Sequence, residues 1–312
     1  MNILIIANHF AVCSARYAAD AFTRLGHKVK HIGRPMGRDI WGIQVPAEYE
    51  WTPDEDAFTN MNGRFDVCIV MDSDSAYLDQ LSPKPVNPHF PMPTIVWGVD
   101  NHVRDYRRPY FDHYFLAHKS VSVMPWRDAN AFYADDNLLH AQHGDMTWLP
   151  CAYDPVAFPP SPIPFAEREY DVCMIGVMYP KRWELVNAMR AAGLKVLAGT
   201  GLVYDAYRDA HHNSRVALVS SFNGDLPIRL FEGAGMGCVV LCDTIADLPR
   251  LDPVNPITHC MGHSDVMTEF MVEEAKRLQN EPEVATACTE WATAHTWDVR
   301  AQVIIDWLEA RS

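Results

Sequence analysis

The sequence predicts an α/β protein made of two doubly wound parallel sheets that face a central cleft. Three observations carry this prediction. Short continuous apolar runs recur, at 3–7 (ILIIA), 67–71 (VCIVM), 172–175 (VCMI) and 239–242 (VVLC), as strands buried on both faces require. Segments with helical spacing separate them, which implies parallel pairing. A passage with six prolines, 149–165, divides the 312 residues into two stretches of domain size. The expected organisation is a first unit over 1–150, a second over 151–295, and a last helix over 296–312 that packs back toward the first.

In the first half, 2–7 reads as a buried strand. Ser14 is placed to cap a helix over 15–25, in which Tyr17, Ala18, Ala21, Phe22 and Leu25 share one face and Gly26 ends the run. Strands follow at 27–32, 66–72, 93–100 and 111–117. The acidic, poorly periodic stretch 34–63 reads as an excursion from the sheet. Beyond the prolines, which exclude helix and strand and suggest a linker, the pattern restarts. Strands are expected at 171–176, 194–199, 215–221 and 237–243. Helices are expected at 181–192, 204–212, 227–236, about 265–279 and 296–309.

Composition narrows the class. Hydrophobic residues make up 48% and charged residues 21%, which fits an ordinary globular chain. No apolar run approaches the roughly 20 residues of a membrane span, and no base precedes Arg16, so a signal peptide is not expected and a cytoplasmic location is. The eight cysteines form no CxxC pair and mostly sit in strand-like runs, where they read as small hydrophobes. His259, Cys260 and His263 lack the fourth group that a zinc site needs, so no metal is expected. The net charge of −14 argues against wholesale coating by nucleic acid. It is uneven, however: residues 1–45 carry a local +4 and 101–120 a local +2, so an anionic partner stays open.

The most informative stretch is SSFNGDLPIRLFEGAGMGCVVLCD, 220–243. It reads as strand, loop, helix start, small residues and strand. The helix start at about Leu226–Arg229, which takes in Pro227 and Ile228 and follows Asp225, presents unpaired N–H groups and the positive end of a dipole, a ready anion site. Arg229 adds a guanidinium suited to phosphate. Glu232, one turn later, is placed to accept hydrogen bonds from a ribose diol. The plainer alternative is a capped helix with a solvated acid. Gly233, Gly235 and Gly237 allow close packing against a ligand or the next strand.

The chain resembles glycosyltransferases of the GT-B fold, and most closely the CgeB-like branch of the family 1/4-type enzymes. The resemblance rests on an R-x-F-E-x-x-x-x-G pattern at Arg229, Phe231, Glu232 and Gly237, followed by an apolar strand and Asp243. It extends to LP-x-A-x-D-P at 149–155, to V-x-x-I-G at 172–176 with Arg182 after it, and to HTWDVR at 295–300. It implies a nucleotide-sugar donor, UDP-linked, on the second unit, an acceptor hydroxyl on the first, and no cofactor beyond the donor. In that frame Glu232 holds the ribose, and Arg182, Lys181 and Arg229 neutralise the diphosphate without a metal. The retaining relatives carry a second acid eight residues before the ribose-binding Glu. Here that place is Gly224, with Asp225 beside it, so Asp225 is the candidate substitute and the stereochemistry stays open.

Two candidate bases stand at strand ends of the first half: Asp100 after the fourth strand, and His9 after the first, where inverting relatives keep a catalytic His. Asp72 and Asp74 are alternates, and Trp97, Trp148 and Tyr179 are candidates for stacking. A glycan, a small molecule or a hydroxymethylated DNA base would each suit as acceptor. Two other readings stay open. One is a non-catalytic nucleotide-sugar-binding relative; the other is a nucleotide-sugar epimerase on the same fold.

Overall fold

A computed structural model describes residues 1–10, 12–33, 39–40, 43–54, 57, 64–71, 92–99, 111–118, 146–221, 225–245, 247–259 and 264–311. The chain divides into two compact units, Met1–Cys151 with Trp297–Ser312, and Ala152–Thr296.

The first unit contains β1 (Asn2–Ala7), α1 (Ser14–Arg24), β2 (Lys28–Ile32), β3 (Asp39–Ile40), β4 (Ile43–Gln44), β5 (Val67–Met71), β6 (Thr94–Gly98), β7 (His113–Leu116) and β8 (Met146–Trp148). The second contains β9 (Tyr170–Ile175), α2 (Pro180–Ala191), β10 (Val196–Gly199), α3 (Tyr204–His212), β11 (Ser214–Val219), α4 (Ile228–Gly235), β12 (Val239–Cys242), α5 (Leu248–Leu251), β13 (Thr258–His259), α6 (Ser264–Leu278) and α7 (Pro282–Ala292). The last helix, α8 (Trp297–Glu309), belongs to the first unit.

The first sheet runs β2-β1-β5-β6-β7-β8 and every pairing in it is parallel. Its central strands are buried on both faces, which explains their unbroken apolar runs. Helix α8 lies on α1, where the guanidinium of Arg24 grips both carboxylate oxygens of Asp298 at 2.8 and 2.9 Å. Trp297, fully buried, packs near Tyr17 and Trp97. Ser14 does not cap α1: Cys13 holds the cap position and no side chain closes it. The excursion carries the β3–β4 antiparallel pair and returns at Asp54, whose N–H reaches the carbonyl of His31 in β2.

The second sheet runs β10-β9-β11-β12-β13, again wholly parallel. Its core joins Val172, Met174, Val216, Leu218, Val239 and Leu241 to the inner faces of α2 and α6. The proline-rich passage forms no helix and no ladder strand through 164, but from residue 152 onward it is a packed part of this unit rather than a loose linker. Phe158 and Tyr153 are buried anchors, and Asp154 accepts the N–H groups of Val156 and Ala157. Tyr153 fills the space left by Gly235 in α4, where a Cβ would meet its ring at 2.3 Å. The small residues of α4 therefore serve packing: Gly233 likewise lets the helix close onto Ala217 of β11.

Candidate functional site

In the second sheet the chain leaves β9 toward β10 on one side and crosses back to β11 on the other. The loops after β9 and β11 therefore part, and such a switch point at the carboxyl ends of parallel strands is where ligands of these sheets collect. Gly176, directly after β9, has φ +142°, a backbone region favouring glycine, and its open side faces arginine. A Cβ there would lie 3.1 Å from Nη1 of Arg229 and 3.7 Å from Nη1 of Arg182. Thr200, after β10, donates its hydroxyl to the carbonyl of Gly176 at 2.9 Å.

The two arginines differ in what they do. Arg182, in the first turn of α2, is buried and donates to the carbonyl of Val177 at 2.6 Å and to that of Ser220. One guanidinium thus ties together the two loops that part at the switch point. It also lies over the ring of Tyr179, 5.1 Å from its centre. Burial and then the charge of Arg229 lower its pKa to about 10, so it stays charged at neutral pH. Arg229, half-buried in the first turn of α4, engages no hydrogen-bond acceptor among the described residues, and its charge acts on Arg182 and Glu232. Pro227 is the cap residue of α4 and no side chain closes that end, so the first N–H groups and the helix dipole add to Arg229.

Asp243, directly after β12, is buried and braced. It accepts the N–H of Ser221 at 2.9 Å and the hydroxyl of Ser220 at 3.1 Å, and pairs with Lys181 at 3.2 Å. Lys181 is about half exposed, so the pair is open to a competing anion. Asp225 adds negative charge near Arg182.

Glu232 is 5% exposed and sits in the second turn of α4, so it is not a solvated surface acid. Tyr207 of α3 donates its hydroxyl to Oε2 at 2.7 Å. Oε1 has no donor among the described residues and is not one of the sealed polar atoms of the fold. Burial pushes the carboxyl pKa up to about 7, against the opposing pull of Tyr207 and Arg229. An acceptor oxygen beside an unpaired guanidinium and a helix N-terminus is suited to a diol next to a phosphate.

In the first unit His9 follows β1 and is 2% exposed. Its Nδ1 lies 3.1 Å from the carbonyl of Ala7, and its Nε2 2.9 Å from Nδ1 of His31. Trp51 stacks on it at 4.2 Å. A carbonyl only accepts, so Nδ1 of His9 carries the proton and Nε2 receives one from His31. Asp54, held by Lys30 at 3.0 Å, accepts the backbone N–H of His31. Burial, then His31, lowers the pKa of His9 to about 4. Asp100, Asp72, Asp74 and the bases of 101–120 lie outside the described residues, as do Gly224, Cys260 and His263. Trp97 is buried in the core, Trp148 is half-buried and donates its ring N–H to the carbonyl of Ala117, and Tyr179 stands at the switch point. Three bases of the basic N-terminal stretch are engaged internally: Arg16 with the carbonyl of Tyr49, Arg24 with Asp298 and Lys30 with Asp54.

Sequence reasoning placed Arg182, Arg229, Lys181 and Glu232, and the structure brings all four to the switch-point edge of one sheet. It missed Tyr207, the serines that brace Asp243, and His31 with Asp54, because no local spacing links them to their partners.

Two wholly parallel sheets of this order, one in each unit, are the Rossmann-like halves of the GT-B fold. Residues 163–306, a little under half of the chain, match the family model described as glycosyl transferase-like. The fold agrees over the full length with solved structures of low identity. An alpha-glucosyltransferase in complex with UDP-glucose and DNA containing an abasic site aligns at TM-score 0.65 and 11% identity, covering 99% of each chain. Sucrose-phosphate synthase from Thermosynechococcus elongatus aligns at 0.58 and 11%, covering 100% of both. The catalytic domain of starch synthase IV from Arabidopsis thaliana, bound to ADP and acarbose, aligns at 0.64 and 10%, covering 99% of this chain and 98% of that one. No curated protein matches the chain by sequence. No helix among the described residues is long and apolar enough to cross a membrane.

Proposed function

We propose that this protein transfers a hexosyl or pentosyl group from a UDP-linked sugar to an acceptor hydroxyl, with the donor on the second unit and the acceptor on the first. The observation that carries the reading is Arg229, charged and without a hydrogen-bond partner among the described residues, beside the Cβ-less Gly176 and the uncapped start of α4. Arg229, Arg182, Lys181 and the N–H groups of Ile228 and Arg229, which follow the segment Asp225, Leu226 and Pro227, neutralise the departing diphosphate without a metal. Glu232 takes the ribose. The UDP-glucose and ADP named for two structural neighbours support this donor class.

Loss of the sugar from a diphosphate needs little covalent help from the protein beyond charge stabilisation and placement of the attacking hydroxyl. Asp100 is the proposed base for that hydroxyl, ahead of His9, whose two ring nitrogens are both engaged. The DNA in one neighbouring complex makes hydroxymethylated DNA one arm of the acceptor trial, beside glycans and small hydroxyl compounds. The net charge of −14 and the internal engagement of Arg16, Arg24 and Lys30 support trying uncharged acceptors before DNA.

The test is a thermal-shift series with nucleoside diphosphates, followed by mass spectrometry of nucleotide sugars incubated with acceptors. UDP is expected to raise the melting temperature, and UDP release is expected to depend on an acceptor. No shift with any nucleoside diphosphate overturns the donor site. Binding without release marks a binding protein, and sugar isomerisation without an acceptor marks an epimerase.

A further inference from the structure

We propose that Tyr207 is a positioning and specificity-determining residue: its hydroxyl fixes Oε2 of Glu232 so that Oε1 meets the ribose hydroxyls, and the pair selects ribonucleotides over 2′-deoxyribonucleotides. This rests on the donor-site reading above and deepens it.

The geometry allows the hydroxyl few alternatives. The ring of Tyr207 is wedged edge-on against Phe158, 5.6 Å between centres at 72°, and against His211 at 4.4 Å. The carbonyl of Tyr207 is held by Nδ1 of His211 at 2.9 Å. The hydroxyl is thereby aimed at α4 and donates to Oε2 of Glu232 at 2.7 Å, the direction that the ionised carboxylate, which only accepts, requires. With Oε2 occupied, a second donor has Oε1 to meet. A ribose 2′-hydroxyl there makes a charge-assisted bond, and its absence leaves a buried acceptor short of a partner, which is how buried polar sites reject an analogue lacking one hydroxyl.

The bond also bears on ionisation. Burial favours the neutral acid, whereas the Tyr207 hydroxyl and Arg229 favour the carboxylate. The side chains that act on Glu232 are Tyr207 and Arg229, and behind Tyr207 stand His211 and Cys173. Burial holds His211 down to about 4, while Tyr207 and Cys173 are pushed well above their ordinary values. Glu232 itself changes charge near pH 7, and the selectivity should follow it.

The experiment measures dissociation constants of UDP and dUDP by calorimetry from pH 5.5 to 9, for wild type, Tyr207→Phe, Glu232→Gln and the double variant. The ratio of the two constants cancels titration of the diphosphate, which both ligands share. Wild type should prefer UDP about ten-fold at pH 8.5 and lose the preference on acidification through about pH 7. Tyr207→Phe keeps the ring, and should move that midpoint up by about one unit and cut the preference at pH 8.5 to about three-fold or less. Glu232→Gln should show a small, pH-independent preference that Tyr207→Phe does not alter. A Tyr207→Phe variant with wild-type preference and midpoint overturns this inference alone. Wild type that binds neither nucleotide overturns the donor-site reading and this inference with it.

Discussion

The carboxylate of Asp243 accepts the backbone N–H of Ser221 at 2.9 Å and so joins the ends of β11 and β12 beside the switch point. It also accepts the Ser220 hydroxyl, while the carbonyl of Ser220 is held by Arg182. The residue matched as the family's trailing acid is therefore a brace for the loop that faces the ligand. Asp243→Ala strands a buried N–H and a hydroxyl, and should cost about 2–4 kcal/mol in a denaturant melt. A loss below about 0.5 kcal/mol would show that the brace carries no energy.

The two arginines should separate in experiment. Arg182→Ala releases two carbonyls and should lower both stability, by about 1–3 kcal/mol, and UDP affinity. Arg229→Ala should leave the melting temperature nearly unchanged and weaken UDP about ten-fold, because its guanidinium has no hydrogen-bond acceptor among the described residues. Equal loss of stability in the two variants contradicts the division of labour.

Stability should rise between about pH 4.5 and 6.5. His9 and His211 are each held near 4, below the ordinary 6.5, so the stability they contribute is complete above 6.5 and lost as pH falls toward 4. Glu232 works the other way. Raised to about 7 from 4.5, it contributes fully below 4.5 and loses that contribution as pH rises through 7. Two histidines outweigh one acid, and the lowered His31 and His212 add to them. His211→Asn should flatten the acid side of a melting-temperature profile. Glu232→Gln should raise stability at pH 8 by on the order of 2 kcal/mol. A profile that is flat across this range in wild type contradicts the assignment.

Turnover should fall about 10²–10⁴-fold in Asp100→Asn with donor affinity unchanged, since a general base acts on the acceptor proton. His9→Asn in parallel decides the order of the two candidates. Wild-type turnover in Asp100→Asn would move the role to His9 or to no side chain, and His9→Asn separates those two.

The central strands were legible because strands buried on both faces must be continuously apolar, and β1 matches its expected span residue for residue. Pairs and triplets such as β3, β4, β8 and β13 are too short to show a period. Helix α7 was missed although Pro282 opens it, because no strong helical face stands out in PEVATACTEWA. At the site, Glu232 and Arg229 were legible from the helix start after a strand. The partners that set their chemistry were not: Tyr207 lies 25 residues from Glu232, and Ser220 lies 38 from Arg182. Such pairings are fixed by how α3 and β11 pack, which no local pattern encodes. His9 shows the same limit: its place after β1 was legible, while its bonds to Ala7 and His31 were not.

The central claim is that Glu232 binds the ribose of a nucleoside diphosphate held by the second unit. Calorimetric titration of UDP into wild type and Glu232→Ala at pH 8, beside their melting curves, tests it most directly. The account predicts a dissociation constant raised roughly ten- to a hundred-fold, matching the loss of a charge-assisted bond of about 1.5–3 kcal/mol, in a variant that still melts cooperatively. Equal affinity in the two proteins, with a lowered melting temperature in the variant, would make Glu232 a structural acid and contradict the claim.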